Sequence, residues 1–113
     1  SKRIVLDSIR KIKSDGNKIC GYAATAKSTT VLNYCNLSTD TIDFICDTTK
    51  EKIGKFSPGT HIPIVPVSHF HKNLPDVAYL FAWNHKDEIF NKEKEFSRNG
   101  GKWITYFPEV KII

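Results

Sequence analysis

In the first third of the chain, apolar residues follow helical spacing, then form a short continuous run, and then return to helical spacing. An apolar side chain recurs after four and then three positions at Val5, Ile9 and Ile12, with basic residues between. This spacing predicts an amphipathic helix that ends near residues 15–16. The elements predicted next are a strand over residues 18–22 and a helix over residues 28–35.

Later segments have the composition of strands and of a surface helix. A nearly continuous apolar run at residues 77–83 is typical of a strand covered on both faces in a parallel sheet. Residues 85–96 carry apolar side chains seven positions apart among many charges, which predicts a surface helix that ends at residues 99–101. Three further strands are predicted at residues 42–47, 62–67 and 102–107. The second contains two prolines, so we expect it at a sheet position where their missing N–H groups do no harm.

Predicted strands alternate with predicted helices along the chain. Parallel strands joined by right-handed crossovers are the economical way to cover both faces of such a sheet. The sequence therefore predicts a doubly wound α/β fold, a Rossmann-like three-layer domain with a mostly parallel sheet of about five strands. The length of 113 residues fits one domain, residues 1–113.

Charge, cysteine content and the absence of long apolar runs indicate which partners and which location to expect. The net charge of +5 favours an anionic partner, such as nucleotide phosphate, nucleic acid or acidic lipid. The odd set of Cys20, Cys35 and Cys46 contains no C-x-x-C pair, which favours buried free thiols over a metal site. Because no apolar run approaches the length of a membrane span and no signal-peptide pattern is present, we expect a cytoplasmic location and no membrane partner.

The turn after the first predicted strand has the composition of an anion site. In an open parallel sheet, ligands bind beyond the carboxyl ends of the strands. Small residues let an anion approach the backbone, and a helix start adds N–H groups and partial positive charge. The alternative is a plain helix cap with a solvated lysine. The candidate residues for substrate binding are Gly21, Tyr22, Ala23, Lys27, Ser28 and Thr29.

The same turn nearly matches a phosphate-binding P-loop. Gly21 and the sequence Ala26-Lys27-Ser28 fit the pattern except that Ala26 replaces the second glycine. That glycine lets the loop wrap around phosphates, and the sequence offers only Asp47 as a weak candidate for holding magnesium. A P-loop-like nucleotide-binding module is therefore a minor alternative.

The turn after the predicted strand at residues 42–47 is the second that supplies candidate substrate-binding residues. Asp47 ends a predicted strand, where a carboxylate accepts hydrogen bonds from ribose or sugar hydroxyls. A basic loop then leads to the turn Pro58, Gly59, Thr60 and His61, whose composition indicates a specified shape. The alternative is an exposed loop whose lysines serve solubility.

The third turn follows the apolar run at residues 77–83. Trp83 is suited to cover a base or sugar face, and Asn84 either binds ligand or caps the next helix. His69 and His71 are alternate residues that would share one face of an extended segment, but no third metal ligand accompanies them, so we expect no metal site.

Four ordered motifs resemble a known family. Residues 21–28, 54–64, 82–84 and 100–108 look like the C-terminal domain of sugar C-methyltransferases that depend on S-adenosylmethionine (SAM). The resemblance covers nearly the whole chain and implies a Rossmann-like domain that helps to anchor a nucleotide-linked sugar. It also implies that a zinc module and a SAM-binding catalytic domain precede this domain in the same polypeptide.

The resemblance therefore implies that this fragment alone contributes no catalytic residue, no metal ligand and no cofactor site. SAM and zinc are expected in the full-length enzyme, and the nucleotide-linked sugar and the catalytic domain are the expected partners. Two positions depart from the family pattern. Ala23 stands where the family often has glycine, and Thr48-Thr49 stand where it tends to carry Asn-Pro, so we expect the ligand contacts to differ in detail.

Two functions from other classes stay open. One is a structural or interaction domain that packs on a catalytic domain without touching ligand. The other is a basic nucleic-acid-binding module, which the net charge allows. The aromatic residues lie mainly in predicted core strands and the lysines form no stripe, so we expect no nucleic-acid partner.

Overall fold

The computed structural model describes residues 2–23, 33, 37–81, 85–105 and 111–113. Within these residues the chain forms four helices and six strands. The helix predicted over residues 28–35 lies outside the described residues, apart from residue 33. The helices are α1 (Lys2–Ser14), α2 (Val67–Lys72), α3 (Lys86–Lys92) and α4 (Lys94–Arg98). The strands are β1 (Ile19–Tyr22), β2 (Ile45–Asp47), β3 (Ile64–Pro66), β4 (Val77–Leu80), β5 (Lys102–Thr105) and β6 (Lys111–Ile112).

The strands form one sheet in the order β3-β2-β1-β4-β5-β6. The first five strands of this order are parallel, and β6 pairs with β5 in the antiparallel direction. Tyr22, the last residue of β1, is in register with Cys46 of β2 and Leu80 of β4. The prediction of a Rossmann-like α/β fold with a mostly parallel sheet is confirmed.

Both faces of the sheet are covered by apolar side chains. On one face, Ile9 of α1 and Ile19 of β1 belong to a buried cluster with Tyr79 and Phe81. On the other face, alternate strand residues pack with Phe70 of α2 and with an aromatic group that includes Phe96 and Trp103. Successive side chains of a strand point to opposite faces, so a short strand such as β1 serves both clusters.

Three elements differ from the predicted ones. The segment predicted as one strand over residues 62–67 contains β3 and runs directly into α2, which begins where Pro66 ends the strand in an extended conformation. The helix predicted over residues 85–96 is divided into α3 and α4 at Glu93, whose φ is −106° and ψ is 36°. The antiparallel β6 was not predicted, since two residues are too few for a periodic signal.

Within the described part of the chain, no helix combines the length and the apolar character that crossing a membrane requires.

Candidate functional site

An open cleft of about 390 Å³ lies at the carboxyl ends of β1 and β2. Helix α3 and His85, the residue before it, form the opposite wall of the cleft. Strand order reverses between β1 and β4, and ligands of doubly wound sheets bind at such a reversal. The residues that line the cleft are Tyr22, Ala23, Asp47, Thr48, Thr49, Lys52, Val67, His85, Glu88, Ile89 and Lys92.

Asp47 is a buried carboxylate at the cleft, only 8% exposed. It is the last residue of β2, and one of its oxygens accepts a hydrogen bond of 2.8 Å from the backbone N–H of Thr49. This bond folds the chain sharply after the strand and brings Lys52 to the same cleft. A carboxylate, two threonine hydroxyls and an ammonium group therefore surround one side of the cleft, which suits a ligand with hydroxyl and phosphate groups.

Ala23 forms the turn immediately after β1 with a φ of +75°. Its backbone N–H donates to the carbonyl oxygen of Cys46 at 2.8 Å, so the turn is held against β2. A positive φ favours glycine, because a Cβ crowds the backbone in this region. A glycine at this position would adopt the same backbone conformation without that crowding.

Tyr22 closes the bottom of the cleft and is held by a buried acid. Its hydroxyl donates to Glu93 Oε2 at 2.5 Å, and the other carboxylate oxygen of Glu93 lies 2.7 Å from His71 Nε2. Burial, and then the hydrogen bond to Glu93, raise the pKa of Tyr22 far above its usual range. The hydroxyl therefore stays protonated and acts as a donor, not as a base.

Glu93 was missed by the sequence analysis, which treated it as one of many surface charges. Its position contains the signal that could have found it. Glu93 lies four residues after Ile89 and three before Phe96, so helical spacing places it on the apolar side of the predicted helix. The cleft residues His85, Glu88, Ile89 and Lys92 were likewise not predicted, because the wall they form depends on how α3 packs. Lys52 belongs to the basic loop after β2, for which solubility was the alternative role.

Gly21 has a packing role in the structure, and its predicted ligand contact stays a prediction. A Cβ at this position would lie 2.6 Å from Cε2 of Phe81 and 3.0 Å from a side-chain carbon of Ile45. The residue is buried within β1 and does not line the cleft. Its small size lets the ring of Phe81 approach the strand.

The two described cysteines are buried free thiols, as predicted. Burial raises the pKa of Cys20 well above its usual value. Burial, followed by the charge of Glu93, raises the pKa of Cys46 to about 12. Both thiols therefore stay protonated at neutral pH, which argues against a nucleophilic role.

The turn Pro58, Gly59, Thr60 and His61 lies away from the cleft. The carbonyl oxygen of Pro63, just before β3, accepts a hydrogen bond from Ile45, the first residue of β2. Because β2 and β3 are parallel, the preceding turn lies at their amino ends, whereas Asp47 lies at the carboxyl end of β2.

The prediction that this turn and Asp47 share one rim of the sheet is therefore wrong. The turn contacts a different part of the molecule, since the side-chain amide of Asn33 donates to the carbonyl oxygen of Pro58 at 3.1 Å. Asn33 also lies where a Cβ on Gly59 would stand. A ligand contact by the four turn residues stays a prediction.

Several predicted site residues lie outside the described residues. They are Lys27, Ser28 and Thr29 of the first turn and Trp83 and Asn84 of the third. Cys35, predicted as a buried free thiol, lies outside them as well. The first-turn segment follows Ala23 directly, and the third-turn segment directly precedes His85. Ala23 and His85 both line the cleft.

His69 and His71 do not share a face, because they lie on α2 and not on an extended segment. The ring of His69 packs edge-on against Phe44 with centroids 4.8 Å apart, and His71 turns to Glu93. Two residues apart on a helix are separated by more than half a turn. In the described segments, no group of three or more His, Cys, Asp or Glu side chains is arranged to hold a metal ion.

The strand order and the cleft define this chain as a Rossmann-like α/β domain with an open cleft at the switch point of its sheet. The family model described as the C-methyltransferase C-terminal domain matches residues 1–108, and the chain belongs to that family. The resemblance recognised in the sequence is therefore confirmed.

A curated relative gives the same family. The chain is 38% identical over 109 residues to the protein named C-methyltransferase NovU from Streptomyces niveus. The alignment covers 96% of this chain and 26% of the relative, so the chain spans about a quarter of the length of that protein.

Proposed function

We propose that this domain binds a nucleotide-linked sugar in the cleft and presents it for C-methylation by another part of the same polypeptide. The observation that carries the proposal is the position of the cleft. It joins the residues after β1, the residues after β2 and the α3 wall at the switch point of the sheet, where Rossmann-like domains hold nucleotides.

The side chains around the cleft have the chemistry that such a ligand needs. Lys52 and Lys92 lie on different walls and suit the two charges of a diphosphate. Asp47 suits a ribose or sugar hydroxyl, which donates hydrogen bonds to a carboxylate. In this proposal the amides and side chains of Lys27, Ser28 and Thr29 complete the anion site, and Trp83 and Asn84 contact the base or sugar.

The proposal assigns the methyl transfer, with SAM as donor, to the rest of the polypeptide. A family relative is about four times as long as this chain, which leaves room there for a catalytic domain and for a zinc module. The sugar and the catalytic domain are then the two partners of the cleft, since the methyl group reaches the sugar from outside this domain.

Titration of the 113-residue chain with sugar nucleotides, followed through its backbone amide NMR signals, tests the proposal. UDP-glucose, dTDP-glucose and inorganic pyrophosphate are the probes, and free glucose is the control. We expect the amide signals of Tyr22, Ala23 and residues 47–52 to shift with the diphosphates and not with glucose.

Replacing cleft lysines separates binding from a general charge effect. The variants Lys52→Ala and Lys92→Ala each remove one cleft charge, and Lys11→Ala removes an exposed charge of α1 as the matched control. We expect each cleft variant to weaken binding about ten-fold, as the loss of one charge-assisted hydrogen bond does. Unshifted cleft signals with all three diphosphate probes would contradict the proposal and favour a domain that only packs on its partner.

A further inference from the structure

A buried carboxylate ties three elements together beneath the cleft. Glu93 is 4% exposed and uses its two oxygens separately, one for the hydroxyl of Tyr22 and the other for the imidazole of His71. Each contact is short, at 2.5 and 2.7 Å. We call these three residues the Glu93 cluster.

Each member of the Glu93 cluster belongs to an element that lines the cleft or directly follows one. Tyr22 ends β1 and lines the cleft itself. His71 is on α2, whose first residue, Val67, is a lining residue. Glu93 directly follows Lys92, the last residue of α3 and a lining residue as well. The two hydrogen bonds therefore connect the sheet, α2 and the α3 wall at one carboxylate.

The arrangement requires an acceptor with two oxygens. An ionised carboxylate only accepts hydrogen bonds, and the tyrosine hydroxyl and the imidazole N–H each supply one donor. The helix is interrupted at this residue, so that Glu93 leaves the regular helix path between α3 and α4. A buried charge that lost one of its two donors would be poorly compensated, and its segment would shift to recover a partner.

The aromatic surroundings limit where the cluster can move. The ring of Tyr22 packs edge-on against Phe70 and Trp103, with centroids 5.3 and 5.5 Å apart. Phe90 of α3 contacts Trp103 at 5.3 Å, but no residue of α3 is buried, so α3 is held less firmly than Tyr22. The sheet side of the cluster is therefore fixed by packing, and α3 is the side that would respond to a change at Glu93.

From this geometry we propose that Glu93 is a positioning residue for the cleft, which holds the α3 wall at the distance from Tyr22 that ligand binding needs. The ligand part of this inference rests on the proposed function. His71, which is half exposed, holds Glu93 from the solvent side through the second hydrogen bond.

Variants of the two donors, in the 113-residue chain, test the proposal. Tyr22→Phe and His71→Leu each remove one donor to Glu93 and keep an apolar side chain in place. His71→Gln restores a donor, because its side-chain N–H₂ reaches close to the position of histidine Nε2. His69→Gln is the matched control, since His69 lies on the same helix and packs on Phe44 instead.

Two readouts are measured for each variant. The first is the set of backbone amide NMR signals of residues 85–92 without ligand, and the second is the affinity for UDP-glucose and dTDP-glucose. We expect Tyr22→Phe and His71→Leu to shift the α3 signals and to weaken binding about five-fold, the loss typical of one hydrogen bond. His71→Gln and His69→Gln should leave both readouts close to those of the original chain.

A purely structural role gives a different result. If Tyr22→Phe and His71→Leu lower the melting temperature but leave the α3 signals and the affinity unchanged, Glu93 does not position the cleft and the inference is overturned. If the unaltered chain binds neither sugar nucleotide, the proposed function fails, and the α3 signals still decide the positioning role. Should His71→Leu fail to fold, Tyr22→Phe and His71→Gln give the same decision.

Discussion

Ala23 holds a backbone conformation that its side chain disfavours. Its φ of +75° places it in the left-handed region, where a Cβ costs about 1 kcal/mol or more relative to glycine. The residue nevertheless lines the cleft, and its N–H is bound to β2. The strain is therefore part of how the chain turns away from the sheet at the site.

Ala23→Gly should not destabilise the chain and should stabilise it by up to about 1 kcal/mol, because the relief of strain exceeds the added entropy of the unfolded glycine. Urea denaturation followed by circular dichroism measures the change. Ala78→Gly is the matched control, since Ala78 is fully buried in β4 and the same change there should cost about 1 kcal/mol or more. If Ala23→Gly and Ala78→Gly lowered the free energy of unfolding equally, Ala23 would not be strained.

Strand β1 illustrates how an element is adjusted to its neighbours. Gly21 lies in the middle of the sheet order, with β2 on one side and β4 on the other. Its missing side chain accommodates the ring of Phe81, which stacks on Tyr79 with centroids 4.7 Å apart. The element is therefore shaped by contacts from β2 and from the residue after β4.

Gly21→Ala should lower the free energy of unfolding by about 1–3 kcal/mol, the usual cost of overpacking a core. The added methyl must displace Phe81, whose nearest ring carbon would be 2.6 Å away. The double variant Gly21→Ala with Phe81→Leu should lose less than the sum of the two single losses, because the smaller side chain makes room for the methyl. Additive losses in urea denaturation would show that the two residues do not meet.

The helical elements show where local patterns were sufficient and where they were not. The spacing of Ile9 and Ile12 predicted α1 correctly, since one apolar face against a sheet leaves a periodic signal. Helix α2 escaped prediction because six residues after a proline carry too little periodicity. The interruption at Glu93 escaped it because the partners of that carboxylate come from residues 71 and 22, far away in the sequence.

At the scale of the whole molecule, the chain matches a single domain family over residues 1–108. It spans about a quarter of the relative it was compared with. In the proposed function the cleft holds the acceptor, and the methyl donor is bound elsewhere. Binding and transfer would then be separable activities.

The 113-residue chain should therefore bind a sugar nucleotide without transferring a methyl group to it. Incubation with SAM that carries a radiolabelled methyl group and with dTDP-sugars, followed by chromatography, measures transfer. A polypeptide that joins this domain to the SAM-binding domain of the proposed function is the positive control. Labelled sugar formed by the 113-residue chain alone would contradict this division of activities.

The sequence by itself determined the α/β class, the five parallel strands, the covered faces of the sheet and the family, because these follow from local periodicity and from ordered motifs. It also placed Tyr22, Ala23 and Asp47 at the strand ends where the cleft is found. The tertiary structure decided that the turn before β3 lies at the amino ends of its strands, that Gly21 serves packing, and that Glu93 is buried between Tyr22 and His71. Those outcomes depend on contacts between residues distant in the chain. Local spacing places Glu93 on the apolar side of a helix, but it does not specify Tyr22 and His71 as its partners.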